Sequence, residues 1–391
     1  YSCISCSDEK NCTAIGWAQV YYSMGDPDNG LTYLFERTTD GGVTWERQPY
    51  YNFPKVKYYE NMSFLRRVKM LDSLHVVIVG DSGVIITTSD GGASWIQRDS
   101  KTKRNFTDVA FYDKLNGMAV TQFGTLRITD DGGTTWNTIP DLELSAFFAN
   151  VEAPAPRTFY VIDGGFNKIF RTFDNGKHWD TNQILELSKD KLGLKQILSA
   201  SFCDTMNGWV VAVDYTAKNN PPLIARTEDG GVTWKEVWNK YPLHGDDTST
   251  LIPTEQLHDV HSSSPKNCIA VGLYSTVLYT NDGGATWTRE EFADTTVRET
   301  PRSLSVPSTT TAFIAPSSGS LFRRQFPSTG VQPSISGGEN QYFWITTTPI
   351  PAASQMLVTL YGLYSVKNQP LTVKVFNILG LEVKDYSQEA N

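Results

Sequence analysis

The feature that most constrains this chain is one short motif that occurs six times. Each copy has a Thr, an Asp two residues later, a Gly two residues after that and a Trp three residues further on. Successive Trp residues of the motif are 50, 41, 43, 55 and 53 residues apart. A repeat of this length is typical of one four-stranded blade of a β-propeller.

The chemistry of the motif, which we call the Asp turn, explains its composition. Asp-Gly or Asn-Gly between two strands supplies the positive-φ positions of a tight hairpin. The Asp carboxylate can accept hydrogen bonds from turn N–H groups, and the Trp can fill the space between neighbouring sheets. We therefore expect structural roles for Asp40, Trp45, Asp90, Trp95, Asp131, Trp136, Asp174, Trp179, Asp229, Trp234, Asp282 and Trp287.

A second pattern precedes each Asp turn and completes the repeat. It consists of an apolar strand, a polar turn and another apolar strand, as in residues 109–120 and 200–211. Such short β-rich runs, bounded by Gly, Asn and Asp, predict three strands before each Asp turn and one after it. Residues 303–324 repeat the first three strands without the Asp turn. The sequence thus predicts an all-β, seven-bladed propeller, with the N-terminal segment completing the last blade.

These motifs resemble the Asp-box, or bacterial neuraminidase, repeat, and the resemblance covers residues 1–326. The turn of form Asp-x-x-Asn-Gly before the Asp turns is most similar to the propellers of photosystem II assembly factors and their bacterial relatives. Sialidases and xyloglucan-degrading hydrolases share the same turn. In those families the Asp box is structural and lies on the face opposite the ligand site, and the resemblance implies the same here.

The C-terminal region forms a separate predicted unit. Residues 327–340 have the Pro, Gly and Ser content of a linker, and strand-like runs follow within 341–391. The Pro349-Ile-Pro351-Ala352 segment and residues 373–383 resemble the sorting domain of type IX secretion cargo, which implies contact with that secretion machinery. The sequence ends at Asn391 before the last strands of such a domain, so we expect this one to be incomplete. A generic small β-sandwich is the alternative.

Composition limits the partners. The chain has 34 basic and 42 acidic residues, a formal net charge of −8, which argues against nucleic acid. No apolar run approaches the roughly 20 residues needed to span a bilayer. Three cysteines fall within the first twelve residues, so we expect a Cys6–Cys12 disulfide and an oxidising, extracellular or cell-surface location. The five His are dispersed, and no cluster predicts a metal or a cofactor.

Two function classes remain open. A glycoside hydrolase needs two carboxylates, and Asp81 and Asp163 are the one matched acidic pair that we place away from the Asp turns. The Arg-Ile-Pro segment of sialidases does not occur, and xyloglucan hydrolases resemble two linked propellers, so we favour a non-enzymatic protein. Long connecting segments on a rigid scaffold often carry recognition. The predicted binding residues, for an envelope protein or a glycan, are Tyr50, Tyr51, Tyr58, Tyr59, Tyr241 and His244. An assembly factor for a membrane complex is a further alternative.

Overall fold

The computed structural model describes most of the chain. The described residues are 1–20, 30–48, 65–140, 142, 149–165, 168–184, 195–214, 221–239, 256–273, 276–290, 300–308, 311–317, 321–325, 344–349, 356–361, 374–376 and 382–385. The chain divides into two compact units, Tyr1–Val331 and Gln332–Asn391.

The first unit is built from seven antiparallel sheets, one for each predicted blade. Blades one to three have the strands β1 Cys3–Cys6, β2 Cys12–Val20, β3 Gly30–Thr38, β4 Glu46–Arg47, β5 Leu65–Met70, β6 Val76–Gly80, β7 Ile85–Thr88, β8 Ile96–Arg98, β9 Phe106–Phe111, β10 Gly117–Thr121, β11 Leu126–Thr129 and β12 Asn137–Ile139. Blades four and five have β13 Ala149–Ala155, β14 Thr158–Asp163, β15 Lys168–Thr172, β16 Asp180–Ile184, β17 Lys195–Phe202, β18 Gly208–Asp214, β19 Pro222–Thr227 and β20 Lys235–Trp238. Blades six and seven have β21 Leu257–Ser262, β22 Cys268–Gly272, β23 Thr276–Thr280, β24 Thr288–Glu290, β25 Pro301–Ser305, β26 Thr311–Pro316 and β27 Phe322–Gln325.

The seven sheets close into a ring, which confirms the predicted propeller. The first strands of successive blades contact one another, and β25 of the last blade contacts β1 of the first. The predicted place of the N-terminal segment is wrong, because β1 pairs with β2 in blade one. Its register fits there, with Cys3 opposite Ile15 and Cys6 opposite Cys12. In the described residues, blade seven has three strands.

Antiparallel pairing gives the ring two chemically different faces. The turns between strands one and two lie at one end of each blade, which we call the Asp-turn face. In blades one to six the Asp turns between strands three and four lie at the same end. The turns between strands two and three lie at the other end, the loop face. The N–H of the residue after each Asp joins the two kinds of turn, as in Gly132 N to Leu115 O at 2.9 Å, and in blade four this residue is Asn175.

Hydrogen bonds to one carboxylate hold each Asp turn. In blade three, Asp131 accepts hydrogen bonds from Thr129 Oγ1 at 2.8 Å and from the backbone N of Thr135 at 2.9 Å. Thr129 Oγ1 also accepts the N–H of Gly133 at 2.9 Å. Polar side chains thus supply the partners that the turn backbone lacks within the sheet.

The Trp side chain of each Asp turn packs against the preceding blade. The Trp95 ring lies edge-on to Phe35 of blade one, with ring centroids 4.9 Å apart. Trp287 lies edge-on to Trp209 of blade five, with ring centroids 5.8 Å apart. Trp136 is buried among Val77 and other blade-two side chains. The Trp residues therefore act as wedges between sheets, where apolar area is removed from water.

A repeated arginine ties neighbouring blades together near the Asp turns. Arg226 of blade five donates from Nη1 to Gly283 O of blade six at 2.9 Å, and Arg171 of blade four donates to Gly230 O at 2.8 Å. Gly283 has a φ of +78°, and a Cβ there would lie 2.5 Å from Arg226 Nη1. Glycine is needed at this position for both reasons.

The second unit contains two strand pairs in its described residues. The strand β28 Trp344–Pro349 pairs with β29 Met356–Tyr361, and β30 Lys374–Phe376 pairs with β31 Glu382–Asp385. The likeness of this unit to a sorting domain stays a prediction. Among the described residues of both units, no helix is long and apolar enough to cross a membrane.

The Asp turns generate a matched stability test in blade three. Asp131→Ala removes the acceptor that holds the turn, so we expect a loss of about 1–2 kcal/mol in the free energy of unfolding. The neighbouring Asp130 is exposed, and Asp130→Ala changes the charge equally without removing these hydrogen bonds. Urea unfolding at pH 7 measures both. Equal losses for the two variants would contradict the structural role of Asp131.

The same variant has a predicted pH dependence. Hydrogen bonds from Thr135 and Thr129 outweigh the effect of burial and lower the pKa of Asp131. A lowered pKa in the folded state contributes stability that is present above the unfolded pKa and lost as pH falls. The difference between wild type and Asp131→Ala should therefore shrink as urea unfolding is repeated at progressively lower pH.

Candidate functional site

A channel runs along the axis of the ring and is large enough to be considered as a site. Its water-accessible volume is about 380 Å³, within the range of small-ligand sites. The first strands of the seven blades line it, and alternate residues of each strand face the axis. The charged and ionisable lining side chains include Arg67, Lys69, Asp108, Glu152, Asp259 and His261.

Many of the side chains that line the channel accept hydrogen bonds from the backbone of the next blade. Each first strand is the inner edge of its sheet, so one row of its N–H groups has no partner within that sheet. Side chains from the preceding blade accept some of these hydrogen bonds. Ser5 Oγ accepts from the N–H of Met70 at 3.0 Å, and Ser201 Oγ accepts from the N–H of Ser262 at 3.1 Å.

The ring closes through the same kind of contact. Ser303 Oγ of blade seven accepts the N–H of Ile4 of blade one at 3.2 Å. Ser305 Oγ accepts the N–H of Cys6 at 3.0 Å. Hydroxyl side chains on β25 thereby attach the last blade to the first.

The two channel aspartates serve the same purpose with carboxylates. Asp108 Oδ2 accepts the N–H of Val151 in blade four at 3.0 Å. Asp259 Oδ2 accepts the N–H of Leu304 in blade seven at 2.9 Å, and Ser199 Oγ donates to Asp259 Oδ1 at 2.7 Å. Each carboxylate is therefore committed to contacts that join blades.

Arg67 supplies the positive charge between these two carboxylates. Its Nε lies 3.5 Å from Asp108 Oδ1. Burial raises the pKa of Asp108 and of Asp259, and the positive charge of Arg67 opposes the rise at both residues. The Arg67 side chain is 37 % exposed, so water in the channel screens these electrostatic interactions.

A second group of ionisable side chains lies nearer the Asp-turn face. Burial and then the charge of Asp108 raise the pKa of Glu152 to about 8, against the effect of Lys69. Burial and then the charge of Lys69 lower the pKa of His261 to about 4. At neutral pH His261 is therefore neutral and Glu152 largely protonated. A protonated carboxyl is suited to donating a hydrogen bond, not to acting as a base.

The two predicted catalytic carboxylates lie in different blades. Asp81 follows β6 in blade two and receives Arg66 Nε at 2.8 Å and Arg66 Nη2 at 3.2 Å. Asp163 ends β14 in blade four, is fully buried, and accepts the N–H of Gly165 at 2.9 Å. Both follow strand two, on the loop face, as predicted. Blade three separates them, so the structure does not bring them together as a pair.

The loop face carries two exposed aromatic side chains in the described residues. Trp17, near the end of a hairpin longer than those of the other blades, is 52 % exposed. Phe123, in the turn between β10 and β11, is 56 % exposed and has a φ of +65°. A bulky residue with positive φ is a genuine outlier. The predicted binding residues Tyr50, Tyr51, Tyr58, Tyr59, Tyr241 and His244 lie outside the described residues.

The remaining predicted residues have structural surroundings. Asp40, Asp90, Asp174, Asp229 and Asp282 accept the same turn hydrogen bonds as Asp131. Cys6 and Cys12 form a disulfide across the first turn. In the described part of the chain, no three His, Cys, Asp or Glu side chains come together in a way that could hold a metal ion.

Sequence reasoning missed the channel residues. Their signal is a polar residue at alternate positions of each first strand, such as Ser199 and Ser201, or Ser303 and Ser305. Such alternation in a strand that is otherwise apolar marks a face turned to water. Sequence spacing does place His258 and His261 on opposite faces of β21, and His261 but not His258 lines the channel.

Comparison with known proteins shows the fold. No protein-family model matches the chain, and no match is found among curated proteins. Among solved structures, YCF48 bound to D1 peptide is 18% identical, covering 83% of this chain and 93% of that chain, with a TM-score of 0.57. YCF48 from Cyanidioschyzon merolae is 16% identical, covering 81% of this chain and 96% of that chain, with a TM-score of 0.56.

Propellers of other kinds align equally well. The GH74 xyloglucanase from Xanthomonas campestris is 12% identical with a TM-score of 0.59, covering 84% of this chain and 52% of that chain. This chain therefore spans about half of that enzyme. The RRP9 WD40 repeats are 8% identical with a TM-score of 0.56, covering 80% of this chain and 86% of that chain. At these identities the likeness establishes a β-propeller and leaves function to the residues.

The raised pKa of Glu152 generates a test of the channel electrostatics. Because the folded state holds a proton on Glu152 up to about pH 8, the stability contributed by this group falls as pH rises from its unfolded pKa through 8. Glu152→Gln removes that dependence, so its stability relative to wild type should increase between pH 5 and 8.5. Urea midpoints at several pH values measure the difference.

The control is Glu46→Gln, a change of the same kind at an exposed position in β4. We expect the stability of that variant relative to wild type to be flat over the same pH range. A flat result for Glu152→Gln as well would show that the carboxyl is ionised in the folded protein.

Proposed function

We propose that this chain is a non-enzymatic propeller of the cell surface or the extracellular medium. In this proposal it holds another protein on its loop face, as a subunit of an extracellular assembly. The observation that carries the proposal is that the two channel aspartates have structural contacts. Asp108 and Asp259 accept backbone hydrogen bonds across blade boundaries and share Arg67.

Because Asp108 and Asp259 accept hydrogen bonds that join blades, the channel has few groups that can act as an acid or a base. A retaining or inverting glycosidase needs one carboxylate that ionises freely and one that donates a proton to the leaving group. Glu152 holds a proton at neutral pH and suits the second role. Asp108 and Asp259 accept backbone N–H groups of the neighbouring blades, which commits them to the scaffold rather than to the first role. Asp81 is paired with Arg66, and Asp163 is buried. These surroundings favour binding over hydrolysis.

The loop face has features of a recognition surface. Phe123 presents an aromatic ring to solvent from a strained backbone, and such strain concentrates at functional positions. Arg104 Nη1 donates to Phe123 O at 3.0 Å and to Thr125 Oγ1 at 2.7 Å, which fixes the turn. Exposed aromatic side chains on a fixed backbone are typical interface anchors.

The strand ends that flank the tyrosine-rich connections lie at the same face. Residues 48–64 follow Arg47, the last residue of β4, and precede Leu65, the first residue of β5. Residues 239–256 likewise join Trp238 of β20 to Leu257 of β21. Strands four end and strands one begin at the loop face, so both predicted binding segments start and finish beside it.

Two further observations agree with this proposal. One structural neighbour is YCF48 with a bound D1 peptide, so a propeller of this kind holds a polypeptide in that protein. The disulfide between Cys6 and Cys12 suits an oxidising compartment. Secretion through the C-terminal unit completes the proposal and rests on the resemblance of residues 341–391 to a sorting domain.

The proposal is tested by purifying the tagged protein from its native envelope and quantifying co-purifying proteins by mass spectrometry. We expect one stoichiometric protein partner. Phe123→Ser should lower its recovery roughly tenfold or more, the effect of removing an interface anchor. Ile96→Ser is the control, because Ile96 is also exposed, at 51 %, but lies in β8, the outermost strand of blade two.

The outcomes separate the alternatives. A partner kept by Phe123→Ser, or lost equally from Ile96→Ser, would contradict binding through Phe123 on the loop face. Release of sugar from a polysaccharide panel by the wild-type protein, abolished by Asp108→Asn or Asp259→Asn, would favour the glycoside hydrolase instead.

A further inference from the structure

Among the described residues, the Asp-turn face carries six exposed large apolar side chains. Two of them, Val43 and Val232, lie in the Asp turns of blades one and five, and the other four lie on blades two to five. We call these four the apolar arc: Leu74 of blade two, Leu115 of blade three, Phe173 of blade four and Met206 of blade five. Their exposed fractions are 49 %, 55 %, 56 % and 49 %. Leu74, Leu115 and Met206 occupy the same position of the turn between strands one and two.

The backbone at that turn position has a structural role, but the side chain does not. The N–H of Leu115 donates to Asp113 Oδ1 at 2.8 Å, and its carbonyl accepts the N–H of Gly132 at 2.9 Å. Blades one and six make the same backbone contacts with Lys10 and Lys266 at this position. The fold therefore accepts a charged side chain there, and the apolar residues of blades two, three and five need another explanation.

Phe173 is also unnecessary for its turn. It stands between Thr172 and Asp174, the two residues that form the turn hydrogen bond at 2.9 Å. The other five blades have Thr39, Ser89, Asp130, Glu228 and Asn281 at this position. Five polar residues at one repeat position show that the turn does not require an aromatic ring.

Contacts between blades bring the members of the arc side by side. Lys114 Nζ lies 2.9 Å from Asp72 Oδ2 and joins the turns that carry Leu115 and Leu74. Tyr160 donates its hydroxyl to Thr205 O at 2.7 Å, and its ring lies 6.4 Å from that of Phe173. Thr205 adjoins Met206, so these contacts link the turn of Leu74 with that of Leu115, and Phe173 with the turn of Met206.

The charged side chains around the apolar arc indicate what kind of partner could bind there. The turns of blades two to five on this face carry nine carboxylates and three Lys or Arg side chains. The electrostatic potential around the arc is therefore negative, which favours a partner with positive charge. Exposed apolar side chains within a polar rim are the composition of a protein-docking surface.

We propose that the apolar arc is a second docking surface, separate from the loop face, for a polypeptide segment that carries Lys or Arg between apolar side chains. Apolar side chains of the segment contact Leu74, Leu115, Phe173 and Met206, and its cations lie against the surrounding carboxylates. The turns of the Asp-turn face then have two uses: they hold the blades, and in blades two to five they present this surface.

The test uses a short fluorescent peptide of alternating Lys and Leu and the full-length protein, with binding followed by fluorescence anisotropy. The arc variant combines Leu74→Gln, Leu115→Gln, Phe173→Thr and Met206→Gln, which leaves the net charge unchanged. The matched control combines Trp17→Gln and Phe123→Gln on the loop face. We expect the arc variant to weaken binding roughly tenfold or more and the control to bind as wild type.

Other outcomes overturn the proposal. Unchanged affinity in the arc variant would show that the peptide binds by charge alone. An equal loss in the control would show that its apolar contacts are not specific to the arc. Equal binding of a Glu and Leu peptide would exclude a cationic partner. Sedimentation velocity of the unliganded protein is the second measurement: a dimer lost in the arc variant would assign the arc to a second copy of this chain.

Folding of the variants is checked by circular dichroism. If the fourfold variant does not fold, the pair Leu115→Gln and Phe173→Thr replaces it, with at least a threefold loss expected. Because the arc and the loop face are tested by different substitutions, failure here leaves the proposed function standing.

Discussion

The structure depends on how the inner edge of each blade is satisfied. A propeller blade has no neighbour strand along the channel, so the N–H groups of its first strand would face an unpaired edge. Here the preceding blade provides side-chain acceptors: Ser5, Asp108, Ser201, Asp259, Ser303 and Ser305. These contacts join blades at the axis, while the Trp wedges and the repeated arginines join them further out.

This constraint shapes the chemistry of the channel. A carboxylate that accepts a backbone N–H and faces Arg67 is a structural group, and its burial raises its pKa. Polar residues in a propeller channel suggest a catalytic site, because many ligands bind in such channels. In this chain the axis is largely occupied by contacts that close the ring. Surfaces for recognition then lie on the two faces, where the repeat permits variation.

The sequence predicted the scaffold well and missed the channel residues, for a physical reason. Asp turns recur because every blade needs the same hairpin and the same wedge, so six copies reinforce one another. The channel residues vary between Ser, Asp and Arg because several side chains can accept or shield an N–H group. Comparison between repeats recovers part of this information: Leu115 stands where blades one and six have Lys, and Phe173 stands where the other blades have polar residues. The connections at 48–62 and 239–256 have no equivalent in other blades, so the repeat cannot predict them.

The account is tested most directly by Asp259→Ala, measured for stability and for partner recovery in the same preparation. The account predicts a loss of about 1–3 kcal/mol in the free energy of unfolding, because Leu304, Val260 and Ser199 lose their acceptor. Protein that remains folded should recover its partner as wild type does. Unchanged stability with loss of the partner, or of an activity on polysaccharide, would contradict it and make the channel the functional site.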